Sequence, residues 1–327
     1  MKHTERPLFP SVIDNTMRSA LVACPRKFQL EYLEHWHPAS TNVHLHAGKS
    51  YAKGLEMARV AFYEQGLDAD TARAVGLKAL FESYGDYECP ADSAKSLNRM
   101  CGALEFYFDR YPLETDPAQP IRLPGGRRGI EFNFAEPLDV KHPVTGDPLI
   151  YCGRMDTIVD YAGATFGEDD KTTSSLGASW SRQWDLRSQF TGYCWGAAQA
   201  GLPLNGFLVR GVSILKTKYD TMEAITYRPK WMIERWYEQL IRDLNRAIKM
   251  WEDGAFDYNL ADGCNEYGGC IFKQACMSQD PTPWLEGGFV KRIWNPLDPS
   301  KSDEQLANSL AKPQQIMNAA DSLSMVL

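Results

Sequence analysis

Long apolar runs are missing from this sequence. None of its 327 residues falls in a stretch approaching the ~18 apolar residues that a membrane-spanning helix needs. The opening MKHTERPLFPS has no apolar core of the kind a secretory leader carries. Both point to a chain working in the cytoplasm. An excess of positive charge is missing too. The formal net charge is −7, so the chain cannot coat nucleic acid by bulk charge, and any such site must be a local basic groove on an acidic body. No internal repeat or low-complexity tract is visible, and the composition is not that of a disordered or fibrous protein. A phosphate loop is absent as well. Gly48-Lys49-Ser50 has the ending of one, but Val43 stands where the leading glycine is required, and no strand leads in. With no helicase motif either, ATP is not implied for this chain.

What is present begins with 44% apolar residues, enough for a sizeable core in one large domain or two ordinary ones. NTMRSALVACPRKFQLEYLEHW reads as a short helix, a break at Pro25 and a second helix, with Cys24 at the break. Residues 46–66 carry helical periodicity, with Leu55, Ala58 and Phe62 on one face, and 68–111 read as helix too. A Pro/Gly-rich loop follows, and the period then changes. IEFNFAEPL alternates as a strand, and PLIYCGRMDTIVDY and ATFGEDDKTT read as two more. Residues 184–200 return to helix, NGFLVRGVSIL and MEAITYRP are strands, and 229–252 is a long amphipathic helix. This order predicts an α/β protein with a mixed sheet.

The strongest chemical signal lies in GRMDTIVDYAGATFGEDDKTT. A two-residue turn at Ala162–Gly163 sets Asp156 directly opposite Asp169. Alternation along the strand then puts Asp169 and Lys171 on one face and turns Asp170 away. Two carboxylates and an ammonium on one small surface can hold Mg²⁺ or Mn²⁺, which prefer oxygen donors, and can activate a water against a phosphodiester. Equally, the same charges can form a solvated face or a cross-strand ion pair.

Together these residues resemble a known family. GRMD followed by DDKT looks like the motif of the PD-(D/E)xK nucleases, and Gln189-x-x-x-Tyr193 in SQFTGY resembles the Q-x-x-x-Y motif of the RecB-like branch. The resemblance implies a restriction-endonuclease-like core, with a mixed central sheet flanked by helices. It further implies Asp156 and Asp169 as metal ligands helped by the backbone carbonyl of Asp170, Lys171 beside the attacking water, and Gln189 and Tyr193 orienting substrate and lysine. There is a departure. The branch often carries a histidine four residues after a glycine in the first core helix, as a further ligand. Here Gly48, Leu55 and Glu56 fit, but Ala52 occupies the histidine position. Glu56 or His46 takes that role, or the carboxylates suffice, or catalysis is weakened.

Of the eight cysteines, Cys89, Cys101, Cys152 and Cys194 sit singly in periodic elements and read as small apolar groups. Cys264, Cys270 and Cys276 are evenly spaced in GCNEYGGCIFKQAC, without the C-x₂-C knuckle of ordinary zinc modules. Three thiolates are one short of the usual four. In iron–sulfur members of the RecB-like branch, such as AddB-type and CRISPR-associated exonucleases, one cysteine precedes the nuclease core and three follow it. The resemblance therefore implies Cys24 as the fourth ligand of a [4Fe–4S] cluster with a structural role. Zinc in the same ligands and plain free thiols are the alternatives.

Candidate phosphate contacts are scattered: Arg127 and Arg128 after a double glycine, Lys216 and Lys218, and Arg26 and Lys27. Trp180 is a candidate platform for a single-stranded base, or a rim or core residue. Four segments are expected: a helical N-terminal region with the first cluster cysteine (1–115), a nuclease core (116–252), the cysteine segment (253–290) and a C-terminal tail (291–327). The resemblance, which extends to phage-encoded exonucleases, implies a metal-dependent DNA exonuclease acting on single-stranded or free ends in recombination, repair or degradation, in a bacterial cytoplasm. A DNA-binding or assembly protein that kept the fold and lost activity is the alternative.

Overall fold

The computed structural model describes residues 7–260, 262–265 and 269–297. The first half holds β1 (Val12–Ile13), α1 (Asn15–Ala23), α2 (Pro25–Phe28), β2 (Trp36–Pro38), α3 (Val43–Arg59), α4 (Ala69–Tyr84), α5 (Leu97–Arg110), β3 (Gln119–Pro120), β4 (Ile130–Lys141) and β5 (Pro148–Tyr161). The second half holds β6 (Ala164–Thr173), α6 (Ala178–Arg182), α7 (Ser188–Gln199), β7 (Gly206–Ile214), β8 (Tyr219–Tyr227), α8 (Lys230–Asp253), α9 (Lys273–Met277), α10 (Thr282–Gly288) and β9 (Phe289–Lys291). Single π-helical turns extend α2 through Gln29–Leu33 and α3 through Val60–Glu64. Among the described residues no helix is long and apolar enough to cross a membrane.

The chain divides into two compact units, neither continuous in sequence, and β4 and β5 each pass from one to the other. One unit comprises Thr41–Asn133 and Arg154–Ile233. Here β5 pairs antiparallel with β6, β6 parallel with β7, and β7 antiparallel with β8, while β3 pairs antiparallel with β5. The sheet is therefore mixed, as expected, and helices flank it. Arg59 of α3 reaches Thr157, Glu168 and Asp170 on one face. On α7, Phe190 stacks on Phe207 at 4.4 Å, and Phe207 fills the space over Gly167, on the other face. Helix α3 starts at Asn42, whose side chain accepts from the His44 N–H. It lies against α4 glycine to glycine: a Cβ on Gly54 would stand 3.1 Å from the Gly76 carbonyl oxygen. The helix expected over 68–111 is two helices, because Gly85 at φ 55° ends α4.

The other unit comprises Met1–Ser40, Phe134–Gly153 and Glu234–Val326. In it β1 runs parallel to β5, and β2 pairs antiparallel with β9. The long helix α8 buries Trp236, Leu240, Leu244, Ala247, Met250 and Trp251, the 3.6-residue stripe expected of an amphipathic helix. Arg18 of α1 pairs with Asp243 of α8 at 2.9 Å. A small separate core of Leu30, Phe272, Ala275 and Leu285 backs the cysteine segment.

Candidate active site

The β5–β6 hairpin turns at Ala162 (φ 53°) and Gly163 (φ 77°), the two positive-φ residues a two-residue turn requires. Its register is the one that the turn implies, from Tyr161↔Ala164 to Thr157↔Glu168. Past that pair a side chain takes over from the ladder: the Asp170 N–H donates to Asp156 Oδ2 at 3.2 Å. The Asp156 carboxylate is thereby drawn in between the two strands. Asp169, 3% exposed, is ion-paired with Lys171 on the same face of β6. Asp170 and Glu168 point the other way, to Arg59.

This small site is electrostatically tense. Burial and the adjacent Asp169 charge push Asp156 up to about 7, with Lys171 opposing. Burial raises Asp169 as well, against the pull of Lys171. For Lys171, burial favours the neutral amine, but Asp169 and Asp156 together outweigh it and raise its pKa. The lysine therefore stays an ammonium at neutral pH. Within reach of the Asp156 charge, Glu131 of β4 pairs with Arg154 Nε at 3.0 Å. Burial lifts Glu131 to about 7, opposed by Arg154 and helped by Asp156 and Glu56. Its backbone is left-handed at φ 51°, and Arg127 Nη2 donates to the carbonyls of Ile130 and Glu131 at 3.1 and 3.4 Å. Glu56, paired with Lys53 at 2.7 Å, belongs to the same neighbourhood.

Gln189 Nε2 donates to Tyr193 Oη at 3.0 Å, one helical turn along α7, and Tyr193 packs on Phe207. Arg187 caps that helix, is exposed, and lowers the Asp169 pKa through its charge.

The chain matches the family model of the PD-(D/E)XK nuclease superfamily over residues 18–277. It belongs to that superfamily. Among solved structures it is similar to a candidate exonuclease from Eubacterium rectale, at 14% identity over 82% of this chain and 94% of that one, with a TM-score of 0.44. It is also similar to SSO0001, at 13% identity over 74% and 77% of the two chains, with a TM-score of 0.30. No curated protein matches it. PD-(D/E)XK nucleases typically use Mg²⁺ or Mn²⁺. Among the described residues no group of three or more His, Cys, Asp or Glu side chains has the spacing to hold a metal ion. The hairpin offers two carboxylates and backbone oxygens, a smaller set.

Several sequence candidates have other employment in this PD-(D/E)XK chain. Trp180 is 6% exposed and lies over Gly211, where an added Cβ would come within 2.3 Å of its ring. It is a core residue, so the expected stacking platform for a base is not available there. Arg128 donates to the Pro120 carbonyl at 2.9 Å, a structural bond, whereas Arg127 keeps an exposed side chain beside Glu131. His46 bonds through Nε2 to the Tyr84 carbonyl and stacks on Tyr87 at 4.1 Å, which engages it in packing. Ala52 is exposed on α3.

The cysteine segment converges on Cys24 within its unit. The Asn259 N–H donates to Cys24 Sγ at 3.4 Å, Cys264 Sγ donates to the Asn259 carbonyl at 3.9 Å, and Asn259 Nδ2 donates to the Ala23 carbonyl at 2.6 Å. The Cys270 N–H closes back on the Cys264 carbonyl at 3.0 Å. Burial raises the Cys276 thiol, Arg26 opposes, and the neighbouring Cys270, Cys24 and Cys264 add to the rise. Cys276 thus feels the charge of the other three thiols, and none of the four is in a disulfide. Residues 266–268, most of the expected EYGG glycine run, lie outside the described residues, as does the tail beyond 297.

Sequence reading missed Glu131, Arg59, Glu168 and Arg187. Glu131 was an ordinary polar position in an alternating strand, and only its backbone angle sets it apart. Arg59 had no signal, because its carboxylate partners, Glu168 and Asp170, are over a hundred residues away in sequence.

Proposed function

We propose that this chain is a metal-dependent deoxyribonuclease that cuts phosphodiesters at free DNA ends. The observation that carries this is the placement of Asp156, Asp169 and Lys171 at the opening of the β5–β6 hairpin, with both carboxyls raised by burial and Asp156 also by the Asp169 charge. Two desolvated carboxylates so close are poised for a divalent cation, and their oxygens suit Mg²⁺ or Mn²⁺. Asp156, Asp169 and the Asp170 carbonyl would hold the ion; Glu56 is paired with Lys53 and does not complete a three-acid group with them. The bound ion supplies Lewis-acid activation of water and offsets charge on the phosphate. Lys171, kept protonated by its two acid neighbours, donates hydrogen bonds to the attacking water and to the phosphate oxygen where charge builds. Gln189, bonded to Tyr193, orients the substrate, and Arg127 contacts a flanking phosphate. Action on single-stranded ends, in recombination, repair or degradation of DNA in a bacterial cytoplasm, is supported by the RecB-like motif order.

The chain order of Cys24, Cys264, Cys270 and Cys276, one before the core and three after it, supports a [4Fe–4S] cluster in the RecB-like manner; their spacing in this structure does not itself form a metal site. Bound there, the cluster ties Cys24 to the 264–276 segment and serves structure, not cleavage. A second reading, a DNA-binding protein with lost activity, draws on Ala52. Incubating the purified protein with end-labelled single- and double-stranded DNA, with Mn²⁺ and with EDTA, separates them. Metal-dependent shortening is expected; binding without cleavage refutes the nuclease reading.

A further inference from the structure

Behind the hairpin, on the face away from the candidate metal site, lies a buried lattice of charge. Arg59, 6% exposed, uses four N–H···O contacts: Glu168 at 2.5 Å, Asp170 at 2.7 Å, Tyr107 at 2.8 Å and Thr157 at 3.2 Å. Glu168 is shared with Arg210 at 3.4 Å and with Tyr107 at 3.2 Å. Arg210 in turn forks onto Asp116 at 2.5 and 2.7 Å and meets Glu223 at 3.0 Å. The spacing along β6 matters. Glu168 and Asp170 flank Asp169, and Thr157 stands opposite Glu168 on β5.

We propose that Arg59 is a positioning residue for the reaction: by gripping the side chains on either side of Asp169 from the rear, it fixes the rotation of β6 and so the aim of Asp169 and Lys171. This rests on the nuclease reading above. A strand residue held at both neighbours cannot roll about the strand axis, and rolling is the motion that would swing Asp169 away from Asp156. The same arginine spans both strands of the hairpin, since Thr157 belongs to β5 and its other two hairpin partners to β6. A guanidinium suits this because its planar fork meets two carboxylates at once, which an ammonium cannot do.

The test separates aim from stability. Arg59→Met, Glu168→Gln and Asp170→Asn combined removes the charges as a set, so no buried carboxylate is left unpaired, and its thermal midpoint should stay within about 5 °C of wild type. Its Mn²⁺ affinity, by calorimetry without DNA, should fall about 10–100-fold, and kcat by a similar factor, with KM for DNA within about twofold. Arg59→Lys, which keeps the charge but loses the fork, decides the matter where the triple variant does not fold; it should show a smaller loss in the same two quantities. Wild-type Mn²⁺ affinity and kcat in a folded triple variant, or in Arg59→Lys where the triple does not fold, overturn the positioning role alone. A wild-type protein that neither binds Mn²⁺ nor cleaves overturns the nuclease reading, and the positioning role with it.

Discussion

Replacing Asp156 by Asn should make the metal-free protein more stable at pH 8 while destroying its response to Mn²⁺. Burial and Asp169 lift the Asp156 carboxyl from 3.8 to about 7. The folded protein therefore holds this proton more tightly than the unfolded chain does. Its contribution to stability is fully present below about pH 4 and is lost as the pH rises to about 7 and beyond. At about 1.36 kcal/mol per pH unit the full difference is on the order of 4 kcal/mol, trimmed to roughly 2–4 because the side chain is only half-buried. More than half of that falls between pH 5 and 8, roughly 1–3 kcal/mol, or about 3–8 °C in thermal midpoint. Asn keeps the bond from the Asp170 N–H and never ionises. In EDTA, the midpoint of wild type should accordingly drop relative to Asp156→Asn across this range. Mn²⁺ at about 100 times its Kd should return about 2.7 kcal/mol to wild type at pH 8 and nothing comparable to the variant. Parallel midpoints for the two proteins from pH 5 to 8, read by differential scanning calorimetry, would refute the placement of Asp156 in a desolvated acidic pair.

Two further outcomes follow from the site and from the cysteines. Lys171→Met should lower kcat about 10²–10³-fold, while Mn²⁺ binding by calorimetry is retained or tightened, because Asp169 loses a competing cation. Cys24→Ser should cost iron, visible absorbance and thermal stability together in anaerobically purified protein. Full iron content in that variant would remove Cys24 from the proposed cluster.

The hairpin was legible because its information is local. A two-residue turn fixes register, alternation fixes faces, and Asp156, Asp169 and Lys171 follow from counting. Long periodic elements such as β5, β6, β7 and α8 were legible for the same reason. The short strands β1, β2, β3 and β9 were not, since two or three residues carry no period and exist through pairing with distant partners. Burial was the other blind spot. Trp180 is open to either a stacking or a core role from sequence alone, and Gly211 leaves the space that takes it inward. Arg59 and Arg210 carry no local signal in the sequence, and only the fold brings Glu168, Asp170 and Asp116 to them.

The central claim is that the carboxylates of one hairpin cut DNA with a divalent ion. Digestion of end-labelled DNA, resolved to single nucleotides, tests it most directly. With Mn²⁺ the wild-type protein should shorten single strands progressively from an end, EDTA should stop it, and Asp169→Asn should be inert while still folded. DNA bound but uncut in Mn²⁺, or cleavage that persists in EDTA or in Asp169→Asn, would contradict it.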